Sequence, residues 1–227
     1  GESMRSPSQW NLFPLWNRSD RVIGHMLVKG PYLPHESHKV VELFRDQLAA
    51  GVENHLLRME LTQLANTDGL TGIYNRAYFQ NALESHQDAK RQTPAMDFSL
   101  LMIDINGLKP ANDGHGHHIG DQLIIRVAQL LKAICRSEDI VCRIGGDEFA
   151  VLCPASQQDH ADSLAERIRE QVSERPLQLK DGQSLSISLS IGAACSRDCG
   201  PEHILIMADR RMYEDKQRFY TEQSRAG

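Results

Sequence analysis

Segments with helical periodicity alternate with short apolar runs from residue 67 to residue 222, and no other feature constrains the fold as strongly. A pair of glycines, Gly145 and Gly146, separates two of the apolar runs and indicates a β-hairpin. Strands and helices in alternation predict an α/β domain with a central mixed sheet, flanking helices and one hairpin. The predicted strands are 98–103, 140–144, 148–153 and 185–191, and the predicted helices are 76–86, 118–136, 159–175 and 201–219.

The first third of the chain has fewer predicted elements. Residues 22–28 are apolar and partly β-branched, which predicts a strand, and the Gly-Pro and Leu-Pro pairs within 30–34 predict a loop. A long helix is predicted from Glu36 to Asn66, because apolar residues recur every three or four positions. This helix either forms a parallel dimer with a second copy or packs on its own domain, since Gly51 and His55 interrupt its apolar seam.

The composition excludes some classes of protein. The 227 residues carry a formal net charge of -5, which argues against a general nucleic-acid binder because no excess positive field meets a phosphate backbone. No run of about 18 apolar residues is present, so no membrane span is expected in this chain. Five cysteines, an odd number, predict free thiols in a reducing compartment and hence a cytoplasmic location.

Three carboxylates stand where a strand or a hairpin would hold them rigidly. Asp104 directly follows the predicted strand 98–103, and Asp147 and Glu148 follow the two glycines of the hairpin. Neighbouring residues of a strand point to opposite faces, so one of the two hairpin acids is free for another role. Carboxylates are hard oxygen ligands, suited to Mg²⁺ or Mn²⁺ shared with substrate phosphates. An ordinary turn with solvated acids is the alternative for the glycine segment taken alone.

Short motifs follow one another in a fixed order along the second region. They begin with Asp-Gly-Leu-Thr at 68–71, and the most informative is Gly-Gly-Asp-Glu-Phe at 145–149. The remaining anchors are 75–76, 104–105, 109, 112–113, 116–117, 120–121, 190–192, 208–209 and 216. In this order and at this spacing the set resembles the GGDEF family. The resemblance implies a diguanylate cyclase that condenses two GTP molecules into cyclic di-GMP with Mg²⁺ or Mn²⁺. Because the product is two-fold symmetric, it also implies a homodimer.

The N-terminal region resembles the end of a GAF sensor domain, in which a last strand is followed by a helix running into the next domain. The expected organisation is a GAF-like fragment at 1–39, a linker helix at 40–66, the GGDEF domain at 67–222 and a tail at 223–227.

The resemblance to the GGDEF family gives each polar group of the expected site a role. It implies that Asp104 and Asp147 hold the metal through their side chains and Ile105 through its carbonyl. It leaves open whether Glu148 or Asp147 helps to deprotonate the attacking 3′-hydroxyl. The residues implied in substrate binding are Asn112 and Asp121 at the guanine edge, Lys109 and Lys216 at the phosphates, and Leu108, Gly145 and Gly146 along the site.

A second site is implied by Arg136 and Asp139, which match the Arg-x-x-Asp inhibitory motif of the family and precede the glycine hairpin. A guanidinium can bind a phosphate or the Hoogsteen edge of guanine, and a carboxylate can accept from guanine N–H groups. The resemblance therefore implies inhibition by bound product. An exposed Arg and Asp that close a helix are the structural alternative.

Some positions depart from the family pattern. Asn106 stands where the family often has a second Asp, and Leu108 stands where Phe is common. The second basic phosphate contact of the family would fall on Tyr220, with Arg218 as an alternative. A non-catalytic receptor for cyclic di-GMP is the alternative function, although the segment 145–149 is intact. A cyclase with altered base choice is a further alternative, against which the guanine-reading Asp at 121 argues.

Overall fold

A computed structural model describes residues 9–30, 35–179 and 182–226. The described residues divide into two compact units between Gln63 and Leu64. In the first unit, β1 (Gln9–Trp16) pairs antiparallel with β2 (Val22–Gly30). Helix α1 (His35–Asn66) follows, and its last three residues belong to the second unit. The predicted strand at 22–28 and the predicted long helix are confirmed. β1 was not predicted, and it includes a proline, which strands seldom contain. The loop predicted within 30–34 lies almost wholly outside the described residues.

The second unit contains the predicted alternation of helices and strands. Its helices are α2 (Arg76–Gln92), α3 (Leu108–His115), α4 (His117–Ile134), α5 (Gln158–Ser173), α6 (Ser196–Cys199) and α7 (Ile204–Ala226). Its strands are β3 (Phe98–Ile105), β4 (Ile140–Arg143), β5 (Glu148–Pro154), β6 (Leu177–Gln178), β7 (Ser184–Leu185) and β8 (Leu189–Cys195). In the part of the chain that the structure describes, no helix is both long and apolar enough to cross a membrane.

The central sheet has the strand order β4-β5-β3-β8, so β3 lies inside it and β8 at one edge. All pairings between these four strands are antiparallel, and parallel pairing within the described residues is limited to a bridge between Tyr74 and Cys142. The register places Asp104 opposite Glu148 on β5 and opposite Ser190 on β8. Residues directly opposite each other share a face of the sheet, so these three side chains lie on one face.

Both faces of the sheet are covered by helices, which explains why β3 is buried along its whole length. Leu101 and Ile103 belong to a hydrophobic cluster with residues of α4 and α5. Leu100 and Met102 belong to a second cluster with residues of α2 and α7. Asp104 comes two residues after Met102, so its side chain points to the same face of the sheet as Leu100 and Met102. This is the face covered by α2 and α7. The predicted α/β class, with a central sheet, flanking helices and a hairpin, is confirmed, but the central sheet is antiparallel and not mixed as predicted.

The strand predicted at 185–191 is wrong in its position. Residues 184–185 form the short strand β7, and the sheet strand β8 begins only at Leu189 and continues to Cys195. Alternating serines suggested a half-buried strand, whereas every residue of β8 is buried. A strand covered on both faces has no alternation to detect. The prediction of free cysteines is confirmed for all five.

Candidate active site

Asp104 is a buried carboxylate at the end of β3, with 2% of its surface exposed. Its Oδ2 atom accepts a hydrogen bond from Lys216 Nζ on α7 at 2.7 Å. Its Oδ1 atom is buried and has no hydrogen-bond partner among the described residues. Buried polar atoms are nearly always satisfied, so an orphaned carboxylate oxygen indicates a place for a cation or a donor from a ligand.

The charged groups around Asp104 shift the pKa values of Asp104 and of Lys216. Burial raises the pKa of the Asp104 carboxyl above its ordinary value, and the negative charges of Asp147 and Glu148 act in the same direction against the opposing Lys216 ammonium. Burial disfavours a charged Lys216, but the carboxylates of Asp104 and Asp147 outweigh it and raise the pKa of Lys216. The structure therefore brings Asp104, Asp147, Glu148 and Lys216 together. A site with three acids and one lysine has an excess of negative charge that a divalent cation would offset.

The hairpin tip is fixed by Arg143, the last residue of β4. Its guanidinium donates to the carbonyl of Gly145 at 3.1 Å and to the carbonyl of Gly146 at 2.9 Å. It also donates to both carboxylate oxygens of Asp68, at 3.1 and 3.2 Å. A planar guanidinium can bind several acceptors at fixed angles, which a lysine cannot reproduce. Arg143 thus ties the glycine tip to a residue 75 positions earlier.

Asp68 is the first residue of the first sequence motif, and its carboxylate is held by hydrogen bonds from Thr71. It accepts hydrogen bonds from the backbone N–H of Thr71 at 3.0 Å and from the Thr71 hydroxyl at 2.6 Å. Partial burial opposes ionisation of Asp68, but the hydrogen bonds from Thr71 and Arg143 outweigh it and lower the pKa of its carboxyl. The sequence reasoning gave neither Asp68 nor Arg143 a role. The local signals were Asp68 at the start of the first motif and Arg143 two residues before Gly145.

The glycine at position 145 makes room for Glu148. A Cβ atom at Gly145 would lie 2.9 Å from Glu148 Oε2, so a larger residue there would displace the carboxylate. The backbone of the tip also contacts β3, because the N–H of Ile105 donates to the carbonyl of Asp147 at 3.1 Å. These contacts hold both hairpin acids at the end of β3, next to Asp104.

Two residues after Asp104, Asn106 is bound to the edge strand. Its Nδ2 atom donates to the hydroxyl of Ser188 at 3.1 Å, and its Oδ1 atom accepts from the hydroxyl of Ser190 at 2.8 Å. Its backbone N–H donates to the carbonyl of Ser188 at 2.9 Å. Neither serine was predicted to contribute to the site. The departure at Asn106 is therefore accommodated by Ser190 on β8 and by Ser188, the residue directly before that strand.

The predicted guanine-binding residues lie on α3 and α4. Asn112 on α3 packs against Gly120 on α4, where a Cβ atom would lie 1.9 Å from Asn112 Oδ1. That oxygen is buried without a hydrogen-bond partner among the described residues, and Asp121, the next residue along α4, is exposed. Gly120 is thus required for the position of Asn112. Lys109 is exposed in the first turn of α3, and Leu108 is buried in the core.

Helix α7 is anchored to the free edge of β8. Asp215 Oδ2 accepts from the backbone N–H of Ile191 and from Arg169 of α5, both at 2.9 Å. Lys216 follows directly, so this anchor helps to position it. A cavity of about 690 Å³ lies here between α5, β8 and α7, and its lining includes Arg218 but none of the acids around Asp104. Tyr220, the other predicted phosphate contact, is exposed. The carboxylates around Asp104, and not this cavity, mark the candidate active site.

Arg136 and Asp139 form a turn after α4. The Asp139 carboxylate accepts from the backbone N–H of Arg136 at 2.9 Å, and the N–H of Asp139 donates to the carbonyl of Arg136 at 3.2 Å. The Arg136 side chain is exposed and forms no ion pair within the described ranges. Arg167 of α5 is a neighbour that the sequence did not suggest, and it donates to the carbonyl of Ile134 at 3.1 Å.

The fold and these contacts define a class of protein: an α/β domain with a glycine hairpin that presents acidic groups beside a buried aspartate. The family model described as "Diguanylate cyclase, GGDEF domain" matches residues 65–220. Because that match covers more than half of the sequence, this chain belongs to the GGDEF diguanylate cyclase family.

Curated relatives are similar over the same part of the chain. The response regulator PleD of Caulobacter vibrioides is 40% identical over 158 residues, which are 68% of this chain and 34% of PleD. The uncharacterized protein YhcK of Bacillus subtilis is 39% identical over 165 residues, which are 72% of this chain and 46% of YhcK. The chain thus spans less than half the length of these relatives.

Solved structures share the fold. The coiled coil and GGDEF domain of DgcB from Caulobacter crescentus, crystallised in complex with c-di-GMP, superposes with a TM-score of 0.69 at 28% identity. The alignment covers 78% of this chain and 94% of that chain.

Proposed function

We propose that this chain condenses two molecules of GTP into cyclic di-GMP and releases pyrophosphate. The observation that carries the proposal is the buried carboxylate of Asp104, which has one oxygen bound to Lys216 and the other without a hydrogen-bond partner in the described part of the chain. Asp147 and Glu148 are near enough to raise the pKa of that carboxyl, and they lie on the glycine hairpin. Membership of the diguanylate cyclase family supports assigning this arrangement to GTP.

A divalent cation fits the residues at the end of β3. Asp104 Oδ1 is an unsatisfied hard ligand, and Asp147 adds a second carboxylate. No group of three or more His, Cys, Asp or Glu residues in the described part of the chain is arranged to hold a metal alone. Mg²⁺ usually binds one or two carboxylates and completes its shell with water and substrate phosphates, so the two observations agree. Asp104 and Asp147 would hold the ion by their side chains and Ile105 by its carbonyl. When bound, Mg²⁺ or Mn²⁺ neutralises phosphate charge and acidifies the attacking hydroxyl.

The protein groups around that site have separate tasks. Lys216 carries a positive charge beside Asp104 and would donate hydrogen bonds to substrate phosphates, as would the exposed Lys109. Glu148 or Asp147 would accept the proton of the 3′-hydroxyl, and the open space at Gly146 would admit the phosphates. The hydroxyl oxygen then attacks the α-phosphorus of the other GTP, and pyrophosphate leaves.

Guanine recognition is proposed for Asn112 and Asp121. The buried Oδ1 of Asn112 has no hydrogen-bond partner among the residues described and would accept one, and the carboxylate of Asp121 can accept from N1–H and the exocyclic amine of guanine. An adenine ring presents an acceptor at N1, which would face the Asp121 carboxylate unfavourably. The proposed selectivity for GTP over ATP follows from this difference.

A homodimer is proposed because one domain has groups for one GTP, whereas the product contains two guanylates. Apolar side chains are exposed along α1, including Leu43, Phe44, Leu57 and Leu61, and a second copy of the helix would cover them. The DgcB structure named above contains a coiled coil together with its GGDEF domain, which supports a linker role for α1. We further propose that residues 1–39 belong to a GAF-like sensor and that the protein is cytoplasmic.

Product inhibition is proposed at Arg136 and Asp139. The exposed guanidinium of Arg136 can bind a phosphate or guanine, and the backbone hydrogen bond to Asp139 gives the turn a defined shape. The complexes of DgcB with c-di-GMP show that a relative of similar fold binds this molecule. The motif lies on the α4–β4 turn, away from the hairpin tip, so product could bind there without occupying the GTP site.

The decisive experiment is to incubate the purified protein with GTP and Mg²⁺ and to measure cyclic di-GMP by liquid chromatography. We expect product from the parent, none from Asp147→Asn, and none when ATP replaces GTP. The rate per protein should rise with protein concentration if two copies must meet. Binding of cyclic di-GMP without any synthesis would contradict the proposal and indicate a receptor.

A further inference from the structure

Ser190 is the cross-strand partner of Asp104, yet its hydroxyl donates elsewhere. The two residues are directly opposite in the β3–β8 register and share one face of the sheet. Opposite residues have Cβ atoms about 5 Å apart, within reach of a hydrogen bond between a hydroxyl and a carboxylate. Ser190 is 1% exposed, so its hydroxyl has no access to bulk solvent. Its single O–H nevertheless donates to Asn106 Oδ1 at 2.8 Å.

Asn106 is held in the orientation that accepts this hydrogen bond. Its amide nitrogen donates to the Ser188 hydroxyl at 3.1 Å, and its backbone N–H donates to the Ser188 carbonyl at 2.9 Å. With the nitrogen committed to Ser188, the amide oxygen must face Ser190. The side chain of Asn106 therefore determines which acceptor the Ser190 hydroxyl uses.

The consequence appears at Asp104, whose Oδ1 atom is buried and has no hydrogen-bond partner among the described residues. We propose that Asn106 is a positioning residue that keeps the Ser190 hydroxyl away from Asp104 and so reserves this oxygen for a divalent cation. The inference rests on the proposed metal-dependent function. Without the Asn106 amide, the Ser190 hydroxyl loses its acceptor, and the carboxylate of its cross-strand partner Asp104 can take the hydrogen bond instead.

The family pattern offers a matched comparison, because Asp is frequent at position 106. An aspartate would also accept from Ser190 and would leave Asp104 free, but it would add a negative charge to a site that already has three acids. Asn106→Asp should therefore bind a divalent cation at least as tightly as the parent, whereas Asn106→Ala should bind it more weakly. If Asn106 only stabilised the fold, there would be no reason for Asn106→Asp to keep cation binding while Asn106→Ala weakens it.

The test measures Mn²⁺ binding by the electron paramagnetic resonance signal of free Mn²⁺, with 3′-deoxy-GTP present so that no turnover occurs and with a protein-free sample that gives the Mn²⁺ held by the nucleotide alone. Asn106→Ala should weaken binding about tenfold, the size typical when a residue that orients a metal ligand is removed. The double variant Asn106→Ala with Ser190→Ala should recover most of that loss, because the competing hydroxyl is gone. Circular dichroism checks that each variant folds, and Asn106→Leu replaces Asn106→Ala if the alanine variant does not.

The outcomes separate the inference from the proposed function. If the parent binds no Mn²⁺, the metal site is wrong and the inference fails with it. If the parent binds Mn²⁺ and Asn106→Ala binds equally well, only the inference is overturned. It is also overturned if the double variant is as weak as Asn106→Ala, since the Ser190 hydroxyl then has no part in the effect.

Discussion

Gly192 on β8 lies directly against the backbone of α7, and replacing it with alanine is a severe test of the packing. A Cβ atom at this position would lie 2.1 Å from the backbone nitrogen of Met212 and 2.2 Å from the carbonyl oxygen of Ala208. Both neighbours are main-chain atoms in the middle of a helix, so no side-chain rotation relieves the overlap. The helix must move away from the strand, or the strand must deform.

The size of the effect follows from these distances. An ordinary van der Waals separation requires the two segments to part by about 1 Å, in a region where both are buried. Forcing extra atoms into a well-packed core costs about 1–3 kcal/mol, and the backbone contact puts Gly192→Ala near 3 kcal/mol. The same displacement would move Lys216, which is carried by α7, away from Asp104. We therefore expect lower stability together with weaker GTP binding.

Urea unfolding followed by circular dichroism measures the stability change, with Gly114→Ala as the matched control. Gly114 lies in α3, and a Cβ atom there meets nothing within 4 Å. Alanine at a helical glycine stabilises by roughly 0.5–1 kcal/mol, so the control should be neutral or slightly more stable. A Gly192→Ala variant within about 0.5 kcal/mol of the parent would refute the packing argument, since ordinary surface substitutions have effects of that size.

Three further predictions concern the site and its surroundings. Asp121→Ala should weaken GTP binding about tenfold and reduce the preference over ATP, and unchanged nucleotide competition would contradict the guanine assignment. Arg136→Ala should bind cyclic di-GMP at least tenfold more weakly in calorimetry and continue synthesis after the parent stalls; equal affinity would rule the site out. The carboxyl of Asp68 has a lowered pKa, so its ionised form stabilises the fold above pH 3.8, and that contribution is lost as the pH falls through the lowered value. Asp68→Asn should reduce the acid sensitivity of unfolding, and an identical pH profile would contradict this.

Much of the fold was predictable because its signals are local. The apolar run that became β3 and the helical period that became α4 are each contained within about 20 residues, the range over which periodicity is informative. The glycine pair at 145–146 predicted the hairpin for the same reason. The position of β8 was not predictable in this way, since a fully buried strand leaves no alternation and the preceding serines imitated one.

The contacts that shape the site depend on residues far apart in the sequence. Arg143 and Asp68 are 75 positions apart, and Asn106 and Ser190 are 84 positions apart. Strands β3 and β8 bring Asn106 and Ser190 together, and the bridge between Tyr74 and Cys142 joins the segment after α1 to β4, so neither contact can be read from the local sequence. The motif containing Gly192 was recognised, but its physical reason, contact with the backbone of α7, appears only in the packing.

These long-range pairs also connect the end of α1 to the hairpin. The side chain of Asn75 donates to the carbonyl of Ala65 at 2.7 Å and fixes the last turn of the helix. Asp68 follows within the same turn region and binds Arg143, which in turn holds the carbonyl groups of the hairpin tip. The Asp68–Arg143 contact therefore ties the segment directly after α1 to the acidic hairpin, although 75 residues separate the two partners.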